Sequence, residues 1–465
     1  MSGKWQARLG VAILLLLALA LLLNARPFYL YVTQGRPLCL PSLTSVGGRL
    51  QTALSRAEVD NPAGQHAPIP ALPAPEDWVD YGPVLESGEE GEWDFLWAGV
   101  SPASVVKKDG TYYFYYVAGD GDRSFDGGAR HRAIGVATST DGVRFEKYAG
   151  NPIMTHSPYG GEEEGANSAG VTLDHDGRFV MVYGAAAGPR NGIVADARYA
   201  FSDDGLTFTD AGEALYHCDI GLYGAGDELF PVAVLRQEER WVVYYHPNGV
   251  PRTQRTLGAA WGPSLDRLTH SAAVLDGDDG VLPANGWGNI ITLDQETLVH
   301  FGQWRWWPDT FAEVRVSSPQ TPYRLSEPLF RYDIPDLKRG VVFLDKERRT
   351  WFMYYNDFSR FWRLKLAPYG APDNTPPTVP AGLRATATAH DRVELAWRPA
   401  TDMETGVVEY RIYRNGEFLG GSREPLWVDS DLAQGEHYRY EVSAVNFHGA
   451  ESASGAADIQ ALRQE

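Results

Sequence analysis

Residues Gly226-Asp227-Glu228-Leu229-Phe230-Pro231 set two carboxylates side by side ahead of the apolar run VAVL. Like charges this close resist ionising together, so their pKa values separate, leaving one carboxyl protonated and one ionised. General acid–base chemistry needs that pairing. A solvated turn acid at the start of a strand would present the same residues. Asp94 and the run Glu162-Glu163-Glu164 are further acids ahead of strand-like segments. Asn285-Gly286-Trp287-Gly288-Asn289 holds a Trp between glycines, flanked by two amides. Such a group suits stacking on a sugar ring and hydrogen bonding to its hydroxyls, although a buried turn Trp has the same signature. Trp97 and Asn167, beside the upstream acids, join the binding candidates. His131 lies in the loop Gly119–Arg132 with Asp120, Asp122 and Asp126, and long loops of this kind form pocket rims. That loop lacks the spacing of an EF-hand. No cofactor is expected, with a structural calcium ion left open.

These groups need elements to position them. Five segments share one pattern: TYYFYY ending at Tyr116, FVMVY from Phe179, WVVYY from Trp241, LVHF from Leu298 and WFMYY from Trp351. Each follows a turn rich in Asp, Gly or charge, at a spacing of about 50 to 67 residues. Repetition at this period, with strands and no helices, predicts an all-β fold, a five-bladed β-propeller over residues 91–372. The first strands of its blades converge on a central channel, so the candidate residues belong at the heads of those strands. The turns Ser139–Phe145 and Ser202–Phe208 share a Ser-x-Asp-Gly-x-x-Phe pattern in its second copy as in its first. Asp-Gly supplies the tight turn and the Phe packs back between blades.

The rest of the chain reads as attachments. Leu9–Leu23 is an unbroken apolar run preceded by Lys4 and Arg8 and closed by Arg26-Pro27. It predicts a hydrophobic N-terminal helix over 1–26, either an uncleaved signal anchor with its N-terminus in the cytoplasm or a cleaved signal peptide. Both imply export, with the membrane as a partner through that helix in the first case. Residues 27–90, with the stretch PAGQHAPIPALPAPEDW, read as a Pro/Ala-rich stem. Cys39 and Cys218 are the only cysteines, too few for a disulfide framework. A net charge of −19, from 60 acidic and 41 basic residues, argues against a nucleic-acid partner.

Beyond the linker Asp373–Pro377, short alternating strands recur over residues 377–463, strictly so in Tyr438-x-Tyr440-x-Val442-x-Ala444, which predicts a small β-sandwich. With Trp397, YRIYRNG at 410–416 and YRYEVSAVN at 438–446, the module resembles a fibronectin type III domain. That resemblance implies a spacer or adhesion role, and makes Tyr438 the corner tyrosine.

Asp-Gly-x-Tyr-Tyr-x-x-Tyr at 109–116, followed by Ile-Gly-x-Ala-x-Ser-x-Asp-Gly at 134–142, resembles the superfamily of five-bladed propeller glycosidases that holds glycoside hydrolase families 43, 32, 117 and 130. The resemblance covers about residues 90–370. It implies hydrolysis of a carbohydrate, with one carboxyl helping the leaving oxygen depart and a second driving water or attacking carbon. Glu228 falls in the segment similar to the Glu-Gly-Pro of family 43 and is the implied general acid. The family's base position is occupied by Ser101, with Asp94 the nearest upstream acid, and its blade 2 Asp-Pro by Asn167-Ser168, with Glu164 upstream. Asp94, Glu164 and Asp227 are therefore the candidate partners of Glu228. Two alternatives to the hydrolase stand: a non-catalytic glycan-binding propeller, which the replaced carboxylates favour, and a family-130-like phosphorylase, which would need a cationic phosphate pocket. A purely structural scaffold is a third.

Overall fold

The computed structural model describes residues 72–97, 104–119, 132–155, 165–187, 194–215, 228–248, 257–275, 287–305, 310–332 apart from 323 and 327, 339–356 and 360–462. Five antiparallel blades form a ring. Blade 1 has a split inner edge, Leu96–Trp97 and Ser104–Lys108, then Thr111–Gly119, Arg132–Ser139 and Glu146–Lys147. Blade 2 runs Gly165–Leu173, Phe179–Ala187, Val194–Ser202 and Thr209–Leu215, and blade 3 runs Glu228–Arg236, Trp241–Asn248, Leu257–Gly262 and His270–Leu275. Blade 4 comprises Trp287–Thr292, Leu298–Arg305, Thr310–Ser317 and Phe330–Tyr332. Blade 5 takes Arg339–Asp345, Thr350–Asn356 and Phe361–Pro368 from the end of the ring, and its outer strand, Val79–Glu86, from the start. The inner strands neighbour one another in the order of the blades, and blade 5 returns to blade 1.

The second strand of each blade is aromatic because both of its faces are buried. In Thr111–Gly119, Phe114 and Tyr116 pack with Tyr354 and Trp362 of blade 5. Tyr115 and Val117, pointing the other way, pack with Phe179 and Tyr183 of blade 2. A strand buried on both sides has no polar face and reads as a continuous apolar run. Each ring so buried stabilises the fold by about 1.5–3 kcal/mol.

The Ser-x-Asp-Gly turns lock neighbouring blades together. The Asp141 carboxylate accepts the N–H groups of Val143 and Arg144, both at 2.8 Å, and the Ser139 hydroxyl accepts that of Gly142 at 2.9 Å. Burial works against the Asp141 charge, but the hydrogen bonds it receives from the Arg144 and Val143 N–H groups and from the Ser139 and Arg144 side chains hold its pKa below the usual range. Gly142 (φ 77°) and Gly205 (φ 75°) take the left-handed backbone that the turn requires. The Tyr354 hydroxyl of blade 5 donates to the Gly142 carbonyl of blade 1, and the Tyr115 hydroxyl of blade 1 to the Gly205 carbonyl of blade 2, both at 2.8 Å. Tyr244 of blade 3 caps the Pro322 carbonyl beyond the third strand of blade 4 at 2.9 Å. Phe145 and Phe208 pack beside Tyr354 and Tyr115 with ring centroids 5.6 and 5.8 Å apart. At the closure of the ring, Asp345 of blade 5 also receives Lys107 at 2.9 Å and the Tyr112 hydroxyl of blade 1.

The C-terminal residues form a sandwich. One sheet holds Ala381–Ala389, Arg392–Arg398 and Leu426–Asp429, and the other Glu417–Ser422, Val407–Arg414, His437–Asn446 and Gly455–Gln460. Trp397, Tyr410, Ile412, Tyr440 and Val442 fill its core. The Tyr438 hydroxyl accepts the Ala433 N–H at 2.8 Å, which pins the turn before its own strand.

Two features differ from the reading of the sequence. Residues 27–90 read as a stem throughout, yet Val79–Glu86 is a propeller strand paired along Phe361–Leu366. The sandwich, expected as a spacer, instead packs Val408, Val445 and Phe447 into the apolar cluster shared by blades 5 and 1. Leu9–Leu23, Cys39 and Cys218 lie outside the described residues. Among the described residues no helix is long and apolar enough to cross a membrane.

Candidate functional site

The inner strands of blades 2 to 5 open at Gly165, Glu228, Trp287 and Arg339, and the split inner edge of blade 1 opens at Leu96. Antiparallel connection puts these heads at one end of the ring, with the Ser-x-Asp-Gly turns at the other. Glu228 is the first residue of its strand; it pairs with Asn248 and, in a parallel bridge, with Ala195 of blade 2. Two inner strands carry a bulge near this end. One lies between Ala166 and Ala169 and contains Asn167 and the fully buried Ser168, the other between Pro231 and Ala233. A bulge bends its strand and turns a side chain out of the regular alternation, and such kinks cluster beside active sites. Trp97 is the last residue of the short first segment of blade 1, paired with Ala118. Glu228, Asn167, Trp287 and Trp97 thus share the strand-head end of the ring by backbone position. Glu164, Asp227 and His131 lie outside the described residues.

Two candidates have other engagements. Asp94, expected to face Glu228, is 3% exposed, and its carboxylate lies 2.7 Å from Nζ of Lys147 on the outermost strand of blade 1. It sits in the turn after the closing strand, where Trp93 stacks on Tyr116 with centroids 5.9 Å apart. Burial first, then the Asp94 charge, raise the Tyr116 hydroxyl's pKa. A carboxylate neutralised by a lysine at the outer edge of a blade is a packing device here. Asn289, expected to read ligand hydroxyls, uses its amide within the ring: Oδ1 accepts the Val342 N–H at 3.0 Å and Nδ2 donates to the Val342 carbonyl. It joins the inner strands of blades 4 and 5. Ser104 does the same between blades 1 and 2, accepting from Val171 N–H at 3.1 Å and donating to the Ala169 carbonyl at 3.2 Å.

The sequence reading passed over Asp196. It is 3% exposed, directly across from Ala185, and follows Ala195, the bridge partner of Glu228. The signal was an acid between two alanines within the strand VADARYAF, since carboxylates are seldom buried. No group of three or more His, Cys, Asp or Glu residues suited to a metal ion occurs among the described residues.

No protein-family model matches the chain. It is 28% identical to Exoglucanase B of Cellulomonas fimi over 223 residues, which covers 44% of this chain and 19% of that protein's length. In structure it is similar to a glycosyl hydrolase from Bacteroides ovatus, with a TM-score of 0.42 and 18% identity over 62% of this chain and 93% of the other. A GH32 β-fructofuranosidase of Bombyx mori gives a TM-score of 0.44 and 11% identity over 91% of this chain and 94% of the other.

Proposed function

We propose that the protein is a glycoside hydrolase that works on an extracellular or cell-envelope glycan by carboxylate acid–base catalysis. The observation that carries this reading is Glu228 as the opening residue of blade 3's inner strand, bridged to Ala195 on the third strand of blade 2. A carboxyl at a strand head meets a ligand entering the channel from that end. Protonated, Glu228 would deliver its proton to the glycosidic oxygen as the bond to the sugar breaks. An ionised partner, Glu164 or Asp227, would direct water or attack the anomeric carbon. A separation of about 5–5.5 Å would retain configuration and about 6.5–9.5 Å would invert it. Leu9–Leu23 would hold the enzyme on the outer face of a membrane.

The test is a screen of the full chain against aryl-glycosides and envelope polysaccharides with detection of products, repeated with Glu228→Gln. Turnover in the wild type that survives the substitution unchanged would remove Glu228 from the mechanism. Ser101 and Asn167 at the positions of family carboxylates favour a second reading, a glycan-binding propeller without turnover. It predicts saturable binding, no products, and loss of affinity on Trp287→Ala.

A further inference from the structure

We propose that the C-terminal sandwich is a clamp on the seam of the propeller, holding the closing strand Val79–Glu86 in blade 5. That strand is the one part of the ring that its neighbours in sequence do not supply, and its own ladder is weak. The register slips between Asp80 and Gly82 and again between Pro83 and Leu85, and Pro83 has no N–H to donate. An edge strand with two interruptions in eight residues is the place where a sheet opens first.

The sandwich supplies bonds where the ladder lacks them. Arg423, in the turn between Glu417–Ser422 and Leu426–Asp429, donates through Nη2 to the Tyr81 carbonyl at 2.6 Å and through Nη1 to the Pro83 carbonyl. Tyr81 lies at the first slip and Pro83 borders the second. One planar guanidinium therefore spans both defects, which a lysine could not do. The same turn grips blade 1. Glu424 pairs with Arg144 Nη1 at 2.9 Å, and Arg144 also donates to the Arg423 carbonyl at 3.1 Å. Arg144 is itself held by Asp141 at 2.7 Å in the turn that Tyr354 caps. Two residues thus fasten the strand of blade 5 to the turn of blade 1.

A second set of contacts fixes the sandwich to the inner part of the seam. Phe447 packs on Phe352 with centroids 5.7 Å apart. Arg348 lies over Phe447 at 4.9 Å and reaches the Thr405 carbonyl at 3.4 Å. His448 accepts the Asp373 N–H at 2.7 Å and meets the Arg349 carbonyl at 2.9 Å. Apart from the Asp373 contact, which lies in the linker, these contacts reach blade 5 near the turn between its Arg339–Asp345 and Thr350–Asn356 strands. Among the described residues these contacts do not extend to the strand-head end, where Glu228 opens its strand.

Hydrogen exchange on the full-length protein tests the clamp. In Arg423→Ala the amides of residues 79–86 are expected to exchange about tenfold faster or more, with those of Glu228–Arg236 and Trp241–Asn248 unchanged. Arg423→Lys, which keeps the charge and most of the stem, should show a smaller change in the same direction and serves where alanine does not fold. Unchanged exchange at 79–86 in either folded variant would overturn the proposal. So would equal acceleration in every blade, since Arg423 would then support the protein as a whole and not its seam.

Discussion

The Asn289 amide distinguishes a structural from a ligand-binding role at the head of blade 4. Asn289→Ala removes two hydrogen bonds to one residue, Val342, whose N–H and carbonyl both lose a partner. Val342 is 5% exposed, so water reaches those groups poorly. Each neutral bond contributes about 1 kcal/mol net, and an unsatisfied buried group costs about 1–3 kcal/mol. The expected loss is therefore about 2–4 kcal/mol, read as a lower midpoint in urea unfolding followed by Trp fluorescence. Asn289→Asp should lose at least as much at pH 7, because an ionised oxygen would then face the Val342 carbonyl. Lowering the pH should recover part of that loss, since a protonated carboxyl can donate where the amide did. A loss below about 0.5 kcal/mol in Asn289→Ala, together with weaker glycan binding, would refute the reasoning and return the amide to the ligand.

Glu228→Gln should lower turnover on any accepted glycoside by about 10²-fold or more, the usual scale for general acid assistance, while the unfolding midpoint stays within error of wild type. Tyr115→Phe and Tyr354→Phe each leave a buried glycine carbonyl without its donor and should each cost about 1–3 kcal/mol in urea; an effect of one without the other would deny them a common role. His300 is fully buried at the interface of blades 3 and 4, and burial lowers its pKa from 6.5 to about 3. The unfolded chain therefore takes up a proton that the folded one refuses. His300's contribution is complete above about pH 6.5 and falls away as the pH drops towards 3. His448 shifts in the same direction, also through burial. Urea midpoints should decline between about pH 6.5 and 4.5, above the range of ordinary carboxylates, and His300→Leu should shrink that decline; a flat profile in the wild type would contradict it.

What the sequence could show depended on whether a residue's partner was near it. Strands such as TYYFYY and WFMYY were legible because burial on both faces leaves one continuous signal, and the Ser-x-Asp-Gly turns because their hydrogen bonds close within a few residues. Val79–Glu86 was not. VDYGPVLE carries the Gly and Pro of a loop, and it is a strand only because an edge tolerates interruptions and Val84 and Leu85 share an apolar cluster with Trp362 of the same blade and Phe114 of blade 1, partners distant in sequence. Asp94 and Asn289 looked free to meet a ligand because Lys147 and Val342 stand 53 residues further along in both cases. Neither pairing has a local signature. Asp196 was legible in principle, as an acid between two alanines within a strand.

The tyrosine caps run in one direction round the ring, from blade 5 to 1, from 1 to 2 and from 3 to 4. Blade 1 thus receives a cap on one side and gives one on the other, like a subunit in a head-to-tail cyclic assembly that closes because its rotation adds up to a full circle. In such an assembly no member is first by geometry. Blade 5 is last only because residues 79–86 reach it from the far end of the chain. A rearranged gene that encoded this strand directly after Phe361–Pro368 would make every blade contiguous. The junction between blades 5 and 1 would then keep its cap and its Asp345 contacts and have no covalent reason to be the weakest, so the sandwich could be detached from it without opening the ring.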